Sequence, residues 1–294
     1  MLFKGSIVAV VTPFKNGRLD LGALRALTRW HLDQGTHGIV VNGTTGESPT
    51  TTADEQDAAV RTVLAAVRGR IPVIAGVGTN DTEKTVAQAR RAEKLGANGL
   101  LVVSPYYNRP VQEGLYRHFA AVAKAVKVPL VIYNIPGRTG VAVAADTMAR
   151  LMAFKNVAAV KDASGDLRFA MDLRAKIGAR LAILSGEDPL NLPLASVGSC
   201  GAISVVANVV PRRMADMYEA VFDNDFARAA GIHLEILDLH KGLFVETNPI
   251  PVKAALCMMG KIGPEIRLPL TPLSKDKAAA LRLILKRHGL IKKC

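Results

Sequence analysis

The sequence has few cysteines and no pattern of metal-binding residues. Its 294 residues include three cysteines, Cys200, Cys257 and Cys294, and no two of them form a C-x-x-C pair. An odd number of isolated cysteines excludes a disulfide framework and suits a reducing compartment. The six histidines include no H-E-x-x-H sequence. We therefore predict an enzyme or binding protein with no metal and no other cofactor.

Long apolar runs are also absent. No segment reaches the roughly 18 uninterrupted apolar residues that a membrane-spanning helix needs. The run Ile7 to Val11 is too short for the core of a signal peptide. We predict a soluble, cytoplasmic protein with no membrane partner.

Aromatic residues make up only 5% of the chain, although its formal net charge is +13. The basic residues are scattered, with Arg90, Arg91 and Lys94 lying among acidic neighbours. Nucleic-acid sites need clustered positive charge and rings on which bases stack. We predict no nucleic-acid partner and a basic surface that either attracts anionic substrates or keeps the protein soluble.

Glycine-rich nucleotide loops are incomplete. The segment G-V-G-T-N-D that starts at Gly76 has Asp81 where a dinucleotide fingerprint has its third glycine. The turn G-T-T-G-E-S at Gly43 is not followed by the G-K-[ST] of a P-loop. These departures argue against a Rossmann fold and against a phosphate-binding loop.

Eight apolar runs alternate with helix-compatible segments over the first 224 residues. Uninterrupted valine-rich and isoleucine-rich strands are typical of a parallel sheet with helices outside it. Eight such units predict an α/β fold, a (β/α)8 TIM barrel over residues 1–224. A three-helix C-terminal extension is predicted over 225–294, with helices near Asp225 to Leu243, Pro251 to Met259 and Ser274 to Arg287. The eight runs read SIVAVVTPF, HGIVVNG, IPVIAGVG, NGLLVVS, VPLVIYN, NVAAVKD, ARLAILSG and CGAISVV.

Two of these predicted strands end on reactive side chains. The run Val157 to Val160 leads to Lys161, the strand before it leads to Tyr133, and a glycine-rich turn follows each. Because the carboxyl ends of barrel strands form the active face, we expect the amine and the phenol in one pocket. Burial can lower a lysine pKa by up to roughly 3 to 5 units, which frees the amine to attack a carbonyl. The alternative is a structural lysine paired with Asp162.

Other polar groups follow other predicted strands. The turn Gly43 to Ser48 offers hydroxyls and amides to a substrate carboxylate, although it is also an ordinary turn before a helix. Arg138, in a Gly-Arg-Thr-Gly loop, suits bidentate carboxylate binding, or is a solvated loop arginine. Tyr106 and Tyr107 close the fourth strand, where a packed ring is the usual role.

Five motifs, in order along the chain, resemble those of the dihydrodipicolinate synthase and N-acetylneuraminate lyase family. They are GTTGES from residue 43, SPYYNRP from 104, YNIPGRTG from 133, VKDASGD from 160 and VETNPIPVK from 245. The resemblance covers nearly the whole chain. It implies a class I aldolase-type lyase in which Lys161 forms a Schiff base with pyruvate.

The resemblance also implies roles for other residues. Tyr133 matches the proton donor and acceptor at the imine, and Thr44 and Tyr107 complete its proton relay. In this family the match of Tyr107 comes from a neighbouring subunit, which implies a homodimer that pairs into a homotetramer. Thr45 matches the residue that holds the pyruvate carboxylate. Two backbone positions line the same pocket, Gly186 and Ile203.

The arginine of the IPGRTG motif distinguishes branches of the family. Arg138 matches the residue that binds the carboxylate of L-aspartate 4-semialdehyde, and sugar-acid lyases usually have other residues there. We therefore expect condensation of pyruvate with that aldehyde, the first committed step toward diaminopimelate and lysine. Asp162 and Ser164 replace a glutamate and a threonine common in this branch. Two alternatives stay open, a pyruvate aldolase acting on N-acetylmannosamine or a deoxy-sugar acid, and a binding protein without a catalytic lysine.

The resemblance implies a regulatory property as well. Lysine-inhibited members bind lysine at the dimer interface, in a pocket whose residues match Ser48, Pro49, Ala53, Gln56, Asn80, Lys84 and Tyr106. Lys84 stands where those members have an acidic residue, and Ala53 and Gln56 stand where some have histidines. Because a cation would face a cationic ligand, we expect lysine to inhibit weakly or not at all.

Overall fold

The computed structural model describes residues 2–292, so Cys294 lies outside the described residues. Within that range the strands are β1 (Gly5–Ala9), β2 (Phe14–Lys15), β3 (Arg18–Leu19), β4 (Gly38–Val41), β5 (Val73–Gly76), β6 (Gly99–Val103), β7 (Leu130–Asn134), β8 (Val157–Asp162), β9 (Ala182–Ser185) and β10 (Gly201–Ser204). The α-helices of the same range are α1 (Leu21–Asp33), α2 (Ala53–Val67), α3 (Thr82–Lys94), α4 (Gln112–Ala125), α5 (Pro136–Thr139), α6 (Ala145–Leu151), α7 (Leu167–Ile177), α8 (Asn191–Ser196), α9 (Pro211–Phe222), α10 (Phe226–Glu235), α11 (Leu237–Gly242), α12 (Ile250–Met258) and α13 (Lys275–Arg287).

Eight parallel strands close into a barrel in the order β1-β10-β9-β8-β7-β6-β5-β4. Seven of them lie within one of the eight apolar runs and β1 begins one residue before its run, so the predicted (β/α)8 TIM barrel is confirmed. Their residues are nearly all buried, as expected for strands covered on both faces. Two short strands were not predicted, β2 and β3, which pair antiparallel across an Asn-Gly turn.

Contacts between residues divide the described chain into two compact units. The first unit takes residues 2–5 and 72–203, and the second takes residues 6–71 and 204–292. In the first unit, β5 to β9 pair in sequence order and in parallel, and consecutive helices such as α3 and α4 pack together. In the second unit, α1 packs on α2, α9 on α10, and α12 on α13. The division into a barrel over 1–224 and an extension over 225–294 stays a prediction.

Helix starts in the second unit follow from local side-chain chemistry. Asp20 caps α1 by accepting a hydrogen bond from the backbone amide of Ala23 at 2.9 Å. Thr52 and Glu55 form the predicted capping box at the start of α2, each side chain bonding the other residue's amide. Both caps satisfy amides that have no partner inside the first turn.

The C-terminal region differs from the prediction of three helices. Within the described residues, the stretch expected as one helix from Asp225 to Leu243 is two helices, α10 and α11. They are separated at Ile236, whose φ of −98° and ψ of 10° leave the helical range, while its amide still bonds the carbonyls of Ile232 and Leu234. Ile236 is β-branched and completely buried, so its side chain is restricted both by the helix and by its neighbours.

Gly78 provides a test of how tightly the first unit is packed. A Cβ atom at Gly78 would lie 2.4 Å from the backbone nitrogen of Val103 and 3.0 Å from its oxygen. Since backbone atoms cannot yield as a flexible side chain does, we expect Gly78→Ala to lower the free energy of unfolding by about 1 to 3 kcal/mol. Urea denaturation followed by circular dichroism measures the change.

Gly231 is the matched control for that substitution. It lies within α10, and a Cβ there would meet no atom within 4 Å. Gly231→Ala should therefore raise the free energy of unfolding by roughly 0.5 to 1 kcal/mol, because alanine restricts the unfolded chain. Equal stabilities for the two variants would show that the close approach at Gly78 relaxes without cost.

Candidate active site

Adjacent strands of the first unit carry the predicted nucleophile and the predicted proton carrier. Parallel pairing of β7 with β8 places Tyr133 directly beside Lys161. The Nζ atom of Lys161 lies 4.1 Å from the centroid of the Tyr133 ring. The two residues are only 6% and 4% exposed. The structure thus brings together a buried amine and a phenol, the two groups that imine formation and proton transfer require, while their catalytic roles stay predictions.

Hydrogen bonds to the backbone hold Tyr133 in this position. The carbonyl oxygen of Tyr133 accepts hydrogen bonds from both the amide and the hydroxyl of Ser104, each at 3.1 Å. The next residue, Asn134, uses its Oδ1 to accept from the amide of Val143 at 3.0 Å. The backbone of Tyr133 and the loop that leaves β7 are therefore both tied to neighbouring segments.

Asp162 has partners other than the lysine beside it. Its Oδ1 accepts from the amide of Ser164 at 3.0 Å and from Nδ2 of Asn134 at 3.5 Å. Successive side chains of a strand point to opposite faces, so Asp162 and Lys161 project in different directions. Burial raises the pKa of the Asp162 carboxyl group, and its hydrogen bonds to Ser164 and Asn134 act in the opposite direction. This arrangement argues against Lys161 as a structural partner of Asp162.

Gly186 lies against the aliphatic part of Lys161. A Cβ atom at Gly186 would be 2.9 Å from Cε of Lys161 and 2.9 Å from Cβ of Ala163. The amide of Gly186 donates to the carbonyl oxygen of Asp162 at 2.6 Å, which continues the pairing of β8 with β9 past the strand end. A larger residue would displace the lysine, so the glycine shapes the space around the amine.

The sequence analysis missed Glu187, which follows Gly186. Burial raises the pKa of the Glu187 carboxyl group, as does the negative charge of Asp188, whereas the positive charge of Lys161 lowers it. This carboxyl group is therefore part of the electrostatic environment of the amine. Glu187 could have been identified from its position just after a predicted strand, because residues that follow barrel strands lie at the active face.

The remaining predicted residues of the first unit lie in different surroundings. Ile203 is buried in β10. Arg138 lies in the short helix α5 and is exposed. Tyr107 is 90% exposed and has a φ of 74°, in the left-handed region. The packed-ring role that a strand-end tyrosine usually has therefore does not apply to Tyr107.

The two predicted threonines belong to the second unit, in a turn formed by residues 43–47 that we term the threonine turn. Thr45 is buried, and its Oγ1 accepts a hydrogen bond from Nδ2 of Asn248 at 3.0 Å. Thr44 is half-buried, and its carbonyl oxygen accepts from the amide of Glu47 at 3.1 Å. The carbonyl oxygen of Gly46 accepts from the hydroxyl of Thr12 at 2.7 Å. The contact with Asn248 was not predicted, although the VETNPIPVK motif contains that residue.

Comparison with known proteins places the chain in a family. The model of the dihydrodipicolinate synthetase family matches residues 2–288. The chain belongs to this family. It is 47% identical to the 4-hydroxy-tetrahydrodipicolinate synthase of Geobacter sulfurreducens, over 99% of this chain and all of that relative.

Solved structures of family members have the same fold. The crystal structure of dihydrodipicolinate synthase from Aquifex aeolicus matches with a TM-score of 0.97 and 45% identity, over 99% of this chain and 100% of that one. The chloride-inhibited dihydrodipicolinate synthase of Acinetobacter baumannii, solved in complex with pyruvate, matches with a TM-score of 0.96 and 43% identity, over 98% and 99% of the two chains.

Residues 2–292 contain neither a candidate metal site nor a candidate membrane-spanning helix. No group of three or more His, Cys, Asp or Glu residues in that range has the arrangement of a metal site. Among the helices described there, none has both the length and the apolar character needed to cross a membrane.

The buried carboxyl group of Asp162 leads to a prediction about pH. Because its pKa is raised in the folded protein, the folded state binds the proton more tightly than the unfolded state does. The stabilisation from this group is complete below the ordinary pKa of about 4 and is lost as pH rises through the raised pKa. Asp162→Asn removes the buried charge and keeps an acceptor for Ser164. We expect the variant to have a higher Tm than the wild type at pH 7, with the difference shrinking toward about pH 4.

Asp225→Asn is the control for this comparison. Asp225 is exposed and caps α10 through the amide of Arg228, and asparagine caps helices about as well as aspartate. Its substitution should leave Tm nearly unchanged at either pH. If the Tm of Asp162→Asn stayed below that of the wild type across the whole pH range, burial of the ionised Asp162 carboxylate would not destabilise the protein, and the prediction would be wrong.

Proposed function

We propose that this protein condenses pyruvate with L-aspartate 4-semialdehyde to form 4-hydroxy-tetrahydrodipicolinate, a lyase reaction of diaminopimelate and lysine biosynthesis. The observation that carries this proposal is full-length identity of 44% to 48% to relatives named 4-hydroxy-tetrahydrodipicolinate synthase. The pairing of a buried amine with a phenol in the first unit supports the same chemistry. The cytoplasmic location inferred from the sequence stays a prediction.

In the proposed reaction, the neutral amine of Lys161 attacks the C2 carbonyl carbon of pyruvate. Loss of water from the adduct leaves an imine, and removal of a proton from C3 gives an enamine. The enamine carbon then attacks the aldehyde carbon of the second substrate and forms the new carbon–carbon bond, and the aldehyde oxygen takes up a proton to become the 4-hydroxyl group. The amino group of that substrate attacks the imine carbon, which closes the ring and releases the Lys161 amine. Tyr133 moves protons at the imine, since its ring lies against the amine.

The other predicted residues keep the roles that the family resemblance implies. Thr44 and Tyr107 complete the proton relay, and Thr45 holds the pyruvate carboxylate. Arg138 binds the carboxylate of L-aspartate 4-semialdehyde, for which its exposed position in α5 and its planar guanidinium are suited. The backbone at Gly186 and Ile203 lines the pyruvate pocket.

Trapping and a panel of aldehydes test this function together. Borohydride added with pyruvate should reduce the imine and add a permanent mass to the peptide that contains Lys161. The Lys161→Ala protein should take up no label, whereas Lys155→Ala, which removes an exposed lysine just before β8, should be labelled like the wild type. An unlabelled Lys161 peptide in the wild-type protein would refute the Schiff base.

The panel identifies the second substrate. With pyruvate present, we expect turnover with L-aspartate 4-semialdehyde and at least about 100-fold lower kcat/KM with N-acetylmannosamine or a deoxy-sugar aldehyde, because Arg138 would lack its carboxylate. Preference for a sugar aldehyde would assign the protein to the aldolase alternative. Labelling by pyruvate with no turnover of any aldehyde would contradict the synthase proposal.

We propose a homodimer, pairing into a homotetramer, in which Tyr107 serves the active site of the partner. The turn that carries Tyr107 is held by hydrogen bonds, from Asn108 Nδ2 to the Asn80 carbonyl at 2.9 Å and from Arg109 Nε to the Gly140 carbonyl at 3.0 Å. An almost fully exposed ring on a restrained, left-handed residue is typical of a side chain that contacts another molecule.

Mixed oligomers test this sharing of Tyr107. Lys161→Ala and Tyr107→Phe should each be strongly impaired. In a heterodimer of the two, the subunit with an intact Lys161 receives an intact Tyr107 from its partner. Random mixing should therefore restore about a quarter of wild-type activity, because half of the dimers have one complete site out of two. Verified heterodimers with no recovered activity would contradict the exchange.

We also propose that lysine is a weak inhibitor. In the second unit, the side-chain amide of Gln56 donates to the carbonyl oxygen of Ser48 at 3.1 Å and contacts Thr51, so it is engaged with its own loop. In the first unit, Lys84 is exposed in the first turn of α3, where its charge faces solvent. Neither residue offers the negative charge that would attract a cationic effector.

Titration of lysine against the initial rate tests this proposal. At sub-saturating pyruvate we expect half-inhibition only above about 1 mM lysine, which corresponds to roughly −4 kcal/mol of binding free energy or weaker. Lys84→Glu should strengthen inhibition, whereas Lys94→Glu, at the opposite end of α3, should not. Sub-millimolar inhibition of the wild type would show that another residue supplies the attraction.

A further inference from the structure

A segment near the C-terminus contacts the threonine turn through two buried polar side chains. Nδ2 of Asn248 donates to Oγ1 of Thr45 at 3.0 Å, and both residues are buried. Five residues later, Nζ of Lys253 forms an ion pair with Oε1 of Glu47, the last residue of the turn. The two contacts attach one end of α12 and the residues before it to the turn at two points.

The contact from Asn248 restricts what the Thr45 hydroxyl group does. A threonine hydroxyl has one hydrogen to donate and two lone pairs that accept. Because the amide of Asn248 occupies one lone pair, the hydroxyl hydrogen is directed toward a different acceptor. A carboxylate accepts hydrogen bonds and donates none, so this arrangement suits a substrate carboxylate and disfavours a neutral donor group.

We infer that Asn248 is a positioning residue that sets the Thr45 hydroxyl as a hydrogen-bond donor to the carboxylate of pyruvate. The inference rests on the proposed function, since it takes from there that Thr45 binds this carboxylate. Asn248 itself acts through Thr45. Its contribution is the direction of one hydrogen bond, which affects binding of pyruvate more than the later chemical steps.

A buried ion pair anchors the same turn at its last residue. The side chains of Glu47 and Lys253 are 1% and 4% exposed. The second oxygen of Glu47 accepts from the amide of Arg267 at 3.1 Å, and Nζ of Lys253 lies 4.4 Å from the centroid of the Phe14 ring. Glu47 adopts the left-handed region with a φ of 54°. Burying such a pair costs desolvation energy, and removing one partner would leave an uncompensated charge inside the protein.

Asparagine and aspartate have nearly the same shape, which makes the test specific for hydrogen-bond direction. Asn248→Ala removes the donor and should raise the half-saturating pyruvate concentration for borohydride trapping by about 10-fold. Asn248→Asp replaces the donor with an acceptor that competes for the Thr45 hydrogen, and should raise it by about 100-fold or more. If Asn248 only fills space, the isosteric Asn248→Asp should raise the half-saturating pyruvate concentration less than Asn248→Ala does. A smaller increase for Asn248→Asp than for Asn248→Ala would overturn the inference.

A double-mutant cycle separates hydrogen-bond direction from charge. In a Thr45→Val background, Asn248→Ala should cause less than about a 2-fold further change in pyruvate half-saturation, because no hydroxyl remains to be oriented. Any additional loss from Asn248→Asp in that background measures repulsion between the new carboxylate and pyruvate. Additive effects of Asn248→Ala and Thr45→Val would overturn the inference.

Two further measurements complete the experiment. Asn156→Ala removes an asparagine that donates to the carbonyl oxygens of Ala123 and Val126, and should lower Tm while leaving pyruvate half-saturation unchanged. With Thr45 intact, Asn248→Ala should lower kcat at saturating pyruvate far less than it lowers kcat/KM for pyruvate. Because trapping needs only pyruvate, failure of the synthase reaction with L-aspartate 4-semialdehyde is distinguishable from failure of this inference.

Discussion

Parallel pairing of β7 with β8 is the constraint on which the chemistry of the first unit depends. The register that aligns Tyr133 with Lys161 also aligns Asn134 with Asp162 one residue further on. A shift of one residue would turn each of these side chains to the opposite face of the sheet. The apolar residues that precede them, Val131, Ile132 and Val160, are completely buried and make such a shift costly. Core packing and placement of the amine beside the phenol therefore have one cause.

The surroundings of Lys161 combine apolar walls with opposing charges. Gly186 leaves room for its aliphatic chain, and the charge of the amine acts on the carboxyl group of Glu187, whose pKa is raised mainly by burial. The pKa of the Asp162 carboxyl group, on the other face of the strand, is also raised mainly by burial. Groups that share such an environment influence each other's protonation. Perturbed carboxyl groups beside a buried amine are a common feature of catalytic sites.

The second unit shows a different way of holding a residue that is predicted to bind substrate. Glu47 and Lys253 are separated by 206 positions in the sequence, and the backbone amide of Arg267 adds a second contact to the same carboxylate. Arg267 also forms a paired hydrogen bond with both oxygens of Glu55 in α2. The threonine turn is thus held by residues far along the chain as well as by hydrogen bonds within the turn. Together these contacts limit the conformations open to Thr45.

Local sequence chemistry was sufficient for much of the fold. Valine-rich runs predicted all eight barrel strands, since strands buried on both faces need apolar residues throughout. The Thr52 and Glu55 capping box predicted the start of α2, because its hydrogen bonds join residues only three positions apart. The motif order, with Tyr133 on the strand before Lys161, predicted that phenol and amine lie together, because consecutive barrel strands are neighbours. The break at Ile236 was not predictable, since no glycine or proline marks it.

Other features were decided only by tertiary contacts. The sequence by itself determined the strand and helix alternation, the lysine at the end of β8 and the membership of a family, because each depends on residue type and spacing. It did not determine that Asn248 donates to Thr45, that Glu187 shares the electrostatic field of Lys161, or that the Tyr107 ring is exposed. Those outcomes depend on which distant segments meet and which atoms face each other, and they follow only from the packed positions of the side chains in three dimensions.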